Sequence, residues 1–498
     1  MDHERREQYN LFRSFFEEPF LASVPHVHVS RIDLTNQQID FLVSVGLFEP
    51  CDESELSFGL GVHIFLVEET MKKRFRLIVH TRDINDFVEV VPSVSFIDIQ
   101  HTIAEGLKGL PTYTADIKAY YHQIKIDDCC RKYYSFRTPR GVFHLTTVAT
   151  GQRQCVGRAQ LLALTILQHS TTSALESSEA YVDNFRAIHF SELIVTQFQK
   201  QFCALCKSLR VTLNPDEVTT AGEYEYRGVL FRQRENVPPS VHVAEKTRGK
   251  LTIALKALES YESWTMHDAL SVFGLCVYAS CILQLPTAQY YYVYKFIRRK
   301  GTLDLKEPAK IWPSIVDPWK TWIHQLLSHP GRTAMTHHDE NDVYTVVTDA
   351  STTGYGGYVF FRGEILTVAG KWFPPFIGAH INELEAVSLK ITLVRTVPRY
   401  APVNIFIDNT TVKFCLAKRR SKSFRINGIV GFIAANWTIL HCSYISSKSN
   451  IADHLSRGQP VPTGTGQLAV GDILAKLAKD HGESVPVQQK QCCTSESR

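Results

Sequence analysis

The stretch Tyr344–Ser351, YTVVTDAS, is an apolar run with a carboxylate at its end, followed by Gly354, Gly356 and Gly357 and by a second apolar run, YVFF. A Gly-rich turn between two such runs predicts a hairpin with Asp349 at its core. Three acids downstream occupy comparable places. Glu383 lies in the first turn of the helix-patterned segment HINELEAVSLKITLV, which Pro398 ends. Asp408 closes the short strand VNIFID, and Asp453 falls one turn inside a helix that Asn450 can cap and Gly458 can stop.

The separations along the chain are 34, 25 and 45 residues, so only a fold brings these acids together. Burying four like charges in one place is strongly unfavourable unless cations neutralise them. Oxygen donors with no Cys or His among them favour Mg²⁺ or Mn²⁺ over zinc. Two such ions roughly 3.5–4 Å apart would activate a water and stabilise the leaving oxygen of a phosphodiester. Any one of the four also reads as a solvated acid at a strand end. As an ordered set, they make residues 341–458 resemble ribonuclease H, and NIADHLSR, ending at Arg457, is most similar to the form carried by retroelement polyproteins.

That resemblance implies a polymerase upstream, and three segments of the chain match one in order. TADIKAYYHQIKI places Asp116 at the end of a short strand, followed by two aromatics. YVDN is a tight turn with Asp183 at its tip and Asn184 beside it. Between them, VATGQRQCVGRAQ puts Gly151 in a loop and opens a helix through Gln160. These resemble the two carboxylate motifs and the template-grip motif of a reverse transcriptase, whose nucleotidyl transfer uses two metal ions per active site. The resemblance implies Asp116 and Asp183 as catalytic metal ligands, with Asn184 as a weaker oxygen partner. It implies that Tyr121 packs beneath the sugar and screens the 2′-hydroxyl, although an ordinary core tyrosine fits its pattern as well. Gln160 is expected near the template or the incoming nucleotide, with Gly151 allowing close backbone approach.

Further upstream, KKRFRLIVHTRDIN resembles a fingers hairpin. By resemblance Arg76 stacks on the incoming base and contacts its phosphates, Lys72 or Lys73 reaches the γ-phosphate, and Arg82 and Asn85 position the template. The same cations equally read as a solvated hairpin edge. Downstream, LRVTLNPDEV and YEYRGVLF resemble the segments that close the palm. Three positions depart from the family pattern: Asn184 replaces a second acid, Glu217 stands where a lysine is common, and Ala149-Thr150-Gly151 replaces a Leu-Pro-Gly loop.

Composition suits several globular cores, with 44% apolar and 21% charged residues in 498. The formal charge is only +4, so phosphate binding has to rest on local clusters such as 72–76, IRRK at 297–300 and KRRSKSFR at 418–425, the last of which also reads as a solvated helix face. Twelve cysteines without regular spacing and no N-terminal apolar segment lead to the expectation of a reducing, intracellular setting, cytoplasm or nucleus, with no membrane partner. Cys203 and Cys206 have CxxC spacing but lie in a helical pattern, which favours buried helix cysteines over zinc. No apolar run appears long enough to span a bilayer.

The expected fold is therefore α+β and multidomain: a right-hand polymerase followed by a ribonuclease H-like α/β domain. The expected divisions are fingers at 1–110, led by a helix from about Glu4 to Phe16, palm at 111–233 and a helical thumb at 234–299. A connection at 300–340, the ribonuclease H segment and a mostly disordered tail at 459–498 complete the chain. RQRENVPPS, with two prolines, is taken as the break after the palm. With no protease or integrase segment recognised, the pattern is most similar to tyrosine-recombinase retroelements of the DIRS-like group, and within it to the VIPER elements of trypanosomatids. The resemblance implies template-primers of RNA and DNA, RNA–DNA hybrid and deoxynucleoside triphosphates as partners, together with an element-encoded gag-like protein and a tyrosine recombinase. A domesticated relic that binds nucleic acid, with ribonuclease H activity only or none, remains the alternative.

Overall fold

The computed structural model describes residues 32–459, apart from 60–61, 70–73, 82–83, 86–93, 95, 150, 171–174, 215–216, 220–221, 235, 301–304 and 335–341. The helix expected at Glu4–Phe16, the cations Lys72, Lys73 and Arg82, and the tail beyond Gln459 lie outside the described residues. The chain divides into two compact units, Met1–Arg248 with Pro330–Ala334, and Gly249–His329 with Met335–Arg498.

In the first unit, the helix α1 (Asn36–Ser44) starts at a capping box, in which the Thr35 side chain accepts from the Gln38 N–H and the Gln38 side chain accepts from the Thr35 N–H. The strands are β1 (Phe48–Pro50), β2 (His63–Glu69), β3 (Arg74–His80), β4 (Thr112–Asp116), β5 (Ser135–Thr138), β6 (Gly141–Leu145), β7 (Ser177–Tyr181), β8 (Asn184–Ile188), β9 (Glu217–Thr219), β10 (Gly222–Tyr226), β11 (Val229–Arg234), β12 (Val237–Val243) and β13 (Arg332–Thr333). They form sheets in the orders β7-β8-β4-β9, β10-β11-β12-β13, β1-β6-β5 and β2-β3. The helices α2 (Ile99–Gly106), α3 (Cys155–Ser170) and α4 (Glu192–Ser208) accompany them. Alternation along β4 and β8 buries Tyr113, Ala115, Phe185 and Ala187 against Val195, Phe198 and Phe202 of α4.

One cross-strand pair on the β7–β8 ladder is charged and buried. Glu179 and Arg186 are ion-paired at 3% and 1% exposure, and Arg186 also donates to the Thr102 carbonyl at 2.7 Å and lies under the rings of Tyr226 and Phe231. The Thr102 hydroxyl completes the network by donating to Glu179 at 2.8 Å.

The stretch RQRENVPPS is not a break. It turns between β11 and β12, with Pro238 and Pro239 inside β12 beside a shift in the β11–β12 register, where a missing N–H disturbs no ladder bond. The division between units falls later, inside the helix α5 (Glu245–Ala257).

The second unit contains the helices α6 (Met266–Leu283), α7 (Tyr291–Lys300) and α8 (Pro313–Ser328). Contrary to the sequence expectation, α6 is by length and composition apolar enough to cross a membrane. In this fold its buried residues include Ala269, Val272, Cys276 and Ala279, Ser280 accepts from the Trp322 indole of α8 at 2.8 Å, and Trp319 and Trp322 are themselves buried. An interior helix needs the same apolar composition as a spanning one.

The strands β14 (Tyr344–Ala350), β15 (Gly354–Phe361), β16 (Glu364–Lys371), β17 (Pro402–Ile407) and β18 (Thr438–Tyr444) form a sheet in the order β16-β15-β14-β17-β18. β14, β17 and β18 run parallel, while β14–β15 and β15–β16 are hairpins. The helices α9 (Ile381–Thr396), α10 (Thr410–Ala417), α11 (Phe424–Asn436) and α12 (Asp453–Ser456) pack around this sheet. Gly356 and Gly357 permit the packing: a Cβ on Gly356 would stand 2.5 Å from the Leu455 Cβ, and one on Gly357 would stand 2.5 Å from the Thr392 hydroxyl. α12 and α9 therefore approach β15 to distances that only glycine allows.

Candidate active sites

In the first unit, Asp116 ends β4 directly opposite Asn184, the first residue of β8. Asp183 precedes it in the turn after β7, and its carbonyl accepts from the Ile117 N–H at 2.8 Å. Burial, and then the charge of Asp183, raise the Asp116 pKa, while a hydrogen bond from the Asn214 amide opposes the rise. The Asn214 N–H also donates to the Asp116 carbonyl at 2.7 Å. The Asn184 amide donates to Asp183 Oδ1 at 2.9 Å, so it acts as a donor to the carboxylate and supplies no charge of its own.

The turn that presents Asp183 is strained at Val182, a β-branched residue with φ of 55°. Gln160 holds it. Its Oε1 accepts from the Val182 N–H at 2.6 Å and its Nε2 donates to the Ala180 carbonyl at 2.9 Å. The side chain, expected near the template or the incoming nucleotide, is buried, and both ends of its amide are used on the turn backbone. Tyr121 is half-buried in the 3₁₀ turn Tyr120–Gln123, next to Tyr120, whose hydroxyl donates to the Ala159 carbonyl at 2.8 Å.

Gly151 passes so close to β3 that a Cβ there would stand 2.9 Å from the Val79 carbonyl. Asn85 fastens this loop, donating to the Gly151 carbonyl at 3.0 Å and accepting from the Arg153 N–H at 2.7 Å. Arg76 pairs with Val67 in the β2–β3 hairpin, its side chain being outside the described residues, as are Lys72, Lys73 and Arg82 altogether. At the tip of the β10–β11 hairpin, Arg227 places its guanidinium 4.2 Å over the ring of Tyr181, at the foot of the Asp183 turn.

In the second unit, Asp349 and Asp408 come from the same end of adjacent parallel strands, each one residue beyond the pair Thr348–Ile407. α9 lies against β14 and β15 and contributes Glu385. Carboxylate oxygens of Asp349, Glu385 and Asp408 lie within 4.8 Å of one another. Burial, with the charges of Asp408 and Asp349, pushes the Glu385 carboxyl up to about 9. Burial also raises Asp349 to about 6, against the hydrogen bond from Ser456. Asn450 donates to Asp349 Oδ1 at 3.3 Å and to the Thr348 carbonyl at 3.0 Å, and Ser388 donates to the Asp349 carbonyl at 2.8 Å.

The sequence expectation named Glu383 as the helix acid, and the structure corrects it to Glu385. Glu383 points elsewhere, pairing with Arg425 at 3.2 Å. Two residues of helix are about 200° of rotation, so the two side chains leave on nearly opposite faces. The missed signal was the phase of Glu385 with Ser388, Leu389 and Thr392, all buried on the sheet side. Asp453 is the first residue of α12 rather than one turn inside it, and its carboxylate holds Arg457 at 2.8–2.9 Å. Its charge still contributes to raising Asp349. Asn214, Asn450 as a partner of Asp349, and Ser456 were also missed, because each acts through one long-range contact that leaves no local pattern.

No protein-family model matches the sequence, and no curated protein sequence matches it. Among solved structures, a foamy viral protease-reverse transcriptase (dRH) in complex with double-stranded DNA matches with a TM-score of 0.50 at 11% identity, covering 89% of this chain and 79% of that one. The foamy viral protease-reverse transcriptase in complex with RNA/DNA hybrid matches at 0.48 and 12%, over 88% and 61% of the two chains. The same protein in complex with dsDNA matches at 0.45 and 13%, over 89% and 94%. The first of these carries the fold comparison: the chain is a mixed helix-and-sheet protein structurally similar to a reverse transcriptase.

Proposed function

We propose that the chain is a retroelement reverse transcriptase with ribonuclease H activity, copying RNA into DNA at Asp116 and Asp183 and hydrolysing the RNA strand of hybrids at Asp349, Glu385 and Asp408. The observation that carries this reading is that each unit gathers carboxylates from non-consecutive elements at the end of a sheet. In the proposed assignment, the β7-β8-β4-β9 sheet with α3 and α4 is the palm, the β1-β6-β5 and β2-β3 sheets belong to the fingers, α5 and α6 to the thumb, and the β14–β18 sheet is the ribonuclease H domain.

The donor sets fit Mg²⁺ or Mn²⁺. Asp349, Glu385 and Asp408 offer only oxygens, and Glu385 Oε2 is buried without a hydrogen-bond partner among the described residues. Such ions, two per site, would activate the attacking oxygen and stabilise the leaving one. The chain's own residues prepare the ligands. Ser456 and Asn450 donate to the two oxygens of Asp349 and fix its orientation. Asn214 donates to one carboxylate oxygen of Asp116 and to its backbone carbonyl, and Gln160 sets the turn on which Asp183 stands.

Within this proposal, RNA and DNA template-primers and deoxynucleoside triphosphates are the substrates. The form of YVDN and NIADHLSR favours a DIRS-like, VIPER-type element with gag-like and tyrosine-recombinase partners. One observation favours the relic as a second reading: the Asn184 amide occupies an Asp183 oxygen where a second acid would add charge.

The test is extension of a labelled DNA primer on an RNA template with Mg²⁺ or Mn²⁺, with RNA cleavage followed in the same tube. Extension lost in Asp116→Ala and cleavage lost in Glu385→Gln, each independently of the other, is the expected result. Extension unaffected by Asp116→Ala would exclude the polymerase assignment, and cleavage without extension in either metal would favour the relic.

A further inference from the structure

In the first unit, one cluster of side chains among the described residues combines soft and hard donors. Beyond the end of β1, Cys51 continues the pairing with β6, its N–H donating to the Val142 carbonyl at 3.1 Å. The 3₁₀ turn Glu53–Ser57 follows at once and returns Glu55 to the same place, its carbonyl accepting from the Ser135 hydroxyl at 3.0 Å. His144 stands on β6 opposite Glu49 of β1. The Cys51 thiol, a Glu55 carboxylate oxygen and an imidazole nitrogen of His144 lie within 4.8 Å of one another, and all three residues are half-buried. His144 Nδ1 faces Glu55 at 3.3 Å, and Nε2 faces Glu49 at 3.0 Å. Glu49 is itself held by Arg131 at 2.7 Å.

We propose that Cys51, Glu55 and His144 Nδ1 bind a zinc ion, with Glu49 orienting the imidazole through its Nε2–H. The donor chemistry selects the metal: one thiolate, one imidazole and one carboxylate suit zinc, whereas magnesium and calcium take oxygen alone. Tetrahedral zinc with such ligands sets them about 3.5 Å apart, inside the 4.8 Å within which these donors lie. Metal-bound histidines donate their second nitrogen to a carboxylate or carbonyl, which is the position Glu49 occupies. Without a metal, Glu55 alone meets both the Cys51 thiol and His144 Nδ1. Three protein ligands leave one position for water. The ion would clamp β1 and the 3₁₀ turn onto β6, joining segments about 90 residues apart in sequence.

The experiment uses the full chain, stripped with chelator and reloaded with zinc or cobalt(II). The wild type is expected to retain one zinc ion per chain after desalting, and its cobalt form to show tetrahedral ligand-field bands with a thiolate-to-cobalt charge-transfer band. That charge-transfer band distinguishes this site from all-oxygen sites. It should vanish in Cys51→Ser and persist in Cys203→Ser, while Glu49→Gln lowers zinc affinity about 10–100-fold. Circular dichroism controls for folding, and if Cys51→Ser does not fold, His144→Gln serves instead through loss of the tetrahedral bands. A wild type without the charge-transfer band overturns the proposal, as does a band that survives in both folded variants.

Discussion

Gln160 Oε1 accepts the Val182 N–H at 2.6 Å, so a buried side chain of α3 holds the strained residue that precedes Asp183. Removing it leaves the Val182 N–H and the Ala180 carbonyl without their partner, at a cost of about 1–3 kcal/mol for each buried group left unsatisfied. Gln160→Ala should therefore lower the stability measured by urea denaturation and reduce primer extension by more than tenfold, with RNA cleavage unchanged. Extension at the wild-type rate would show that the turn keeps its conformation without this bond.

Glu383 and Glu385 make opposite predictions although they are two residues apart. Glu385→Gln should abolish RNA cleavage, because it removes one of three converging carboxylates. Glu383→Gln should retain cleavage within a few-fold and change stability by no more than about 1 kcal/mol, since its partner Arg425 is largely exposed. Hybrid cleavage assays on the two variants side by side decide the assignment.

The raised carboxyls give the protein a specific pH dependence. Folded Glu385 holds its proton up to about pH 9 against an ordinary value of 4.5, and Asp349 holds its proton to about 6 against 3.8. Across these windows the folded state binds more protons than the unfolded one, so their contribution to stability falls as pH rises. Thermal melting with chelator present should show Tm decreasing from about pH 6 to 9, with a shallower slope in Glu385→Gln. Mg²⁺ or Mn²⁺ should raise Tm at the alkaline end of the wild-type profile and do so less in the variant. Parallel profiles for the two proteins would rule out a titration of Glu385 in this range.

Gly356→Ala should impair cleavage through packing alone. Its methyl group would collide with the Leu455 Cβ at 2.5 Å and the Ser456 nitrogen at 2.6 Å, displacing α12, which carries Asp453 and the hydroxyl bonded to Asp349. A destabilisation of about 1–3 kcal/mol is expected. Gly428→Ala, on an exposed helix position with nothing within 4 Å, should instead stabilise by up to about 1 kcal/mol. Denaturation and cleavage measured on both variants test whether close approach, rather than glycine flexibility, sets the requirement.

The sequence was sufficient to place Asp116 at the end of a strand, Asp183 in a tight turn and Asp349 on the first strand of a hairpin, because apolar runs and their bounding residues are local properties. Gly354, Gly356 and Gly357, expected to form the hairpin turn, lie in β15, and the chain turns at Ser351–Thr353 instead. It also located α5, α6 and α9, whose apolar pattern and bounding residues lie within a few turns. It misjudged the two prolines of β12, where a register shift accommodates what otherwise ends a strand.

Only the tertiary structure decided which helix acid joins Asp349 and Asp408, because a helical pattern fixes the phase of a face but not the neighbour against which that face is laid. Glu385 was selected when α9 settled onto β14 and β15 through the space left by Gly357, and Glu383 was turned toward Arg425 by the same rotation. The partners of the carboxylates, Asn214 on Asp116 and Ser456 on Asp349, are 98 and 107 residues away in sequence. Contacts at that range leave no periodic trace, and their energetic effect arises only once burial has removed the competing water.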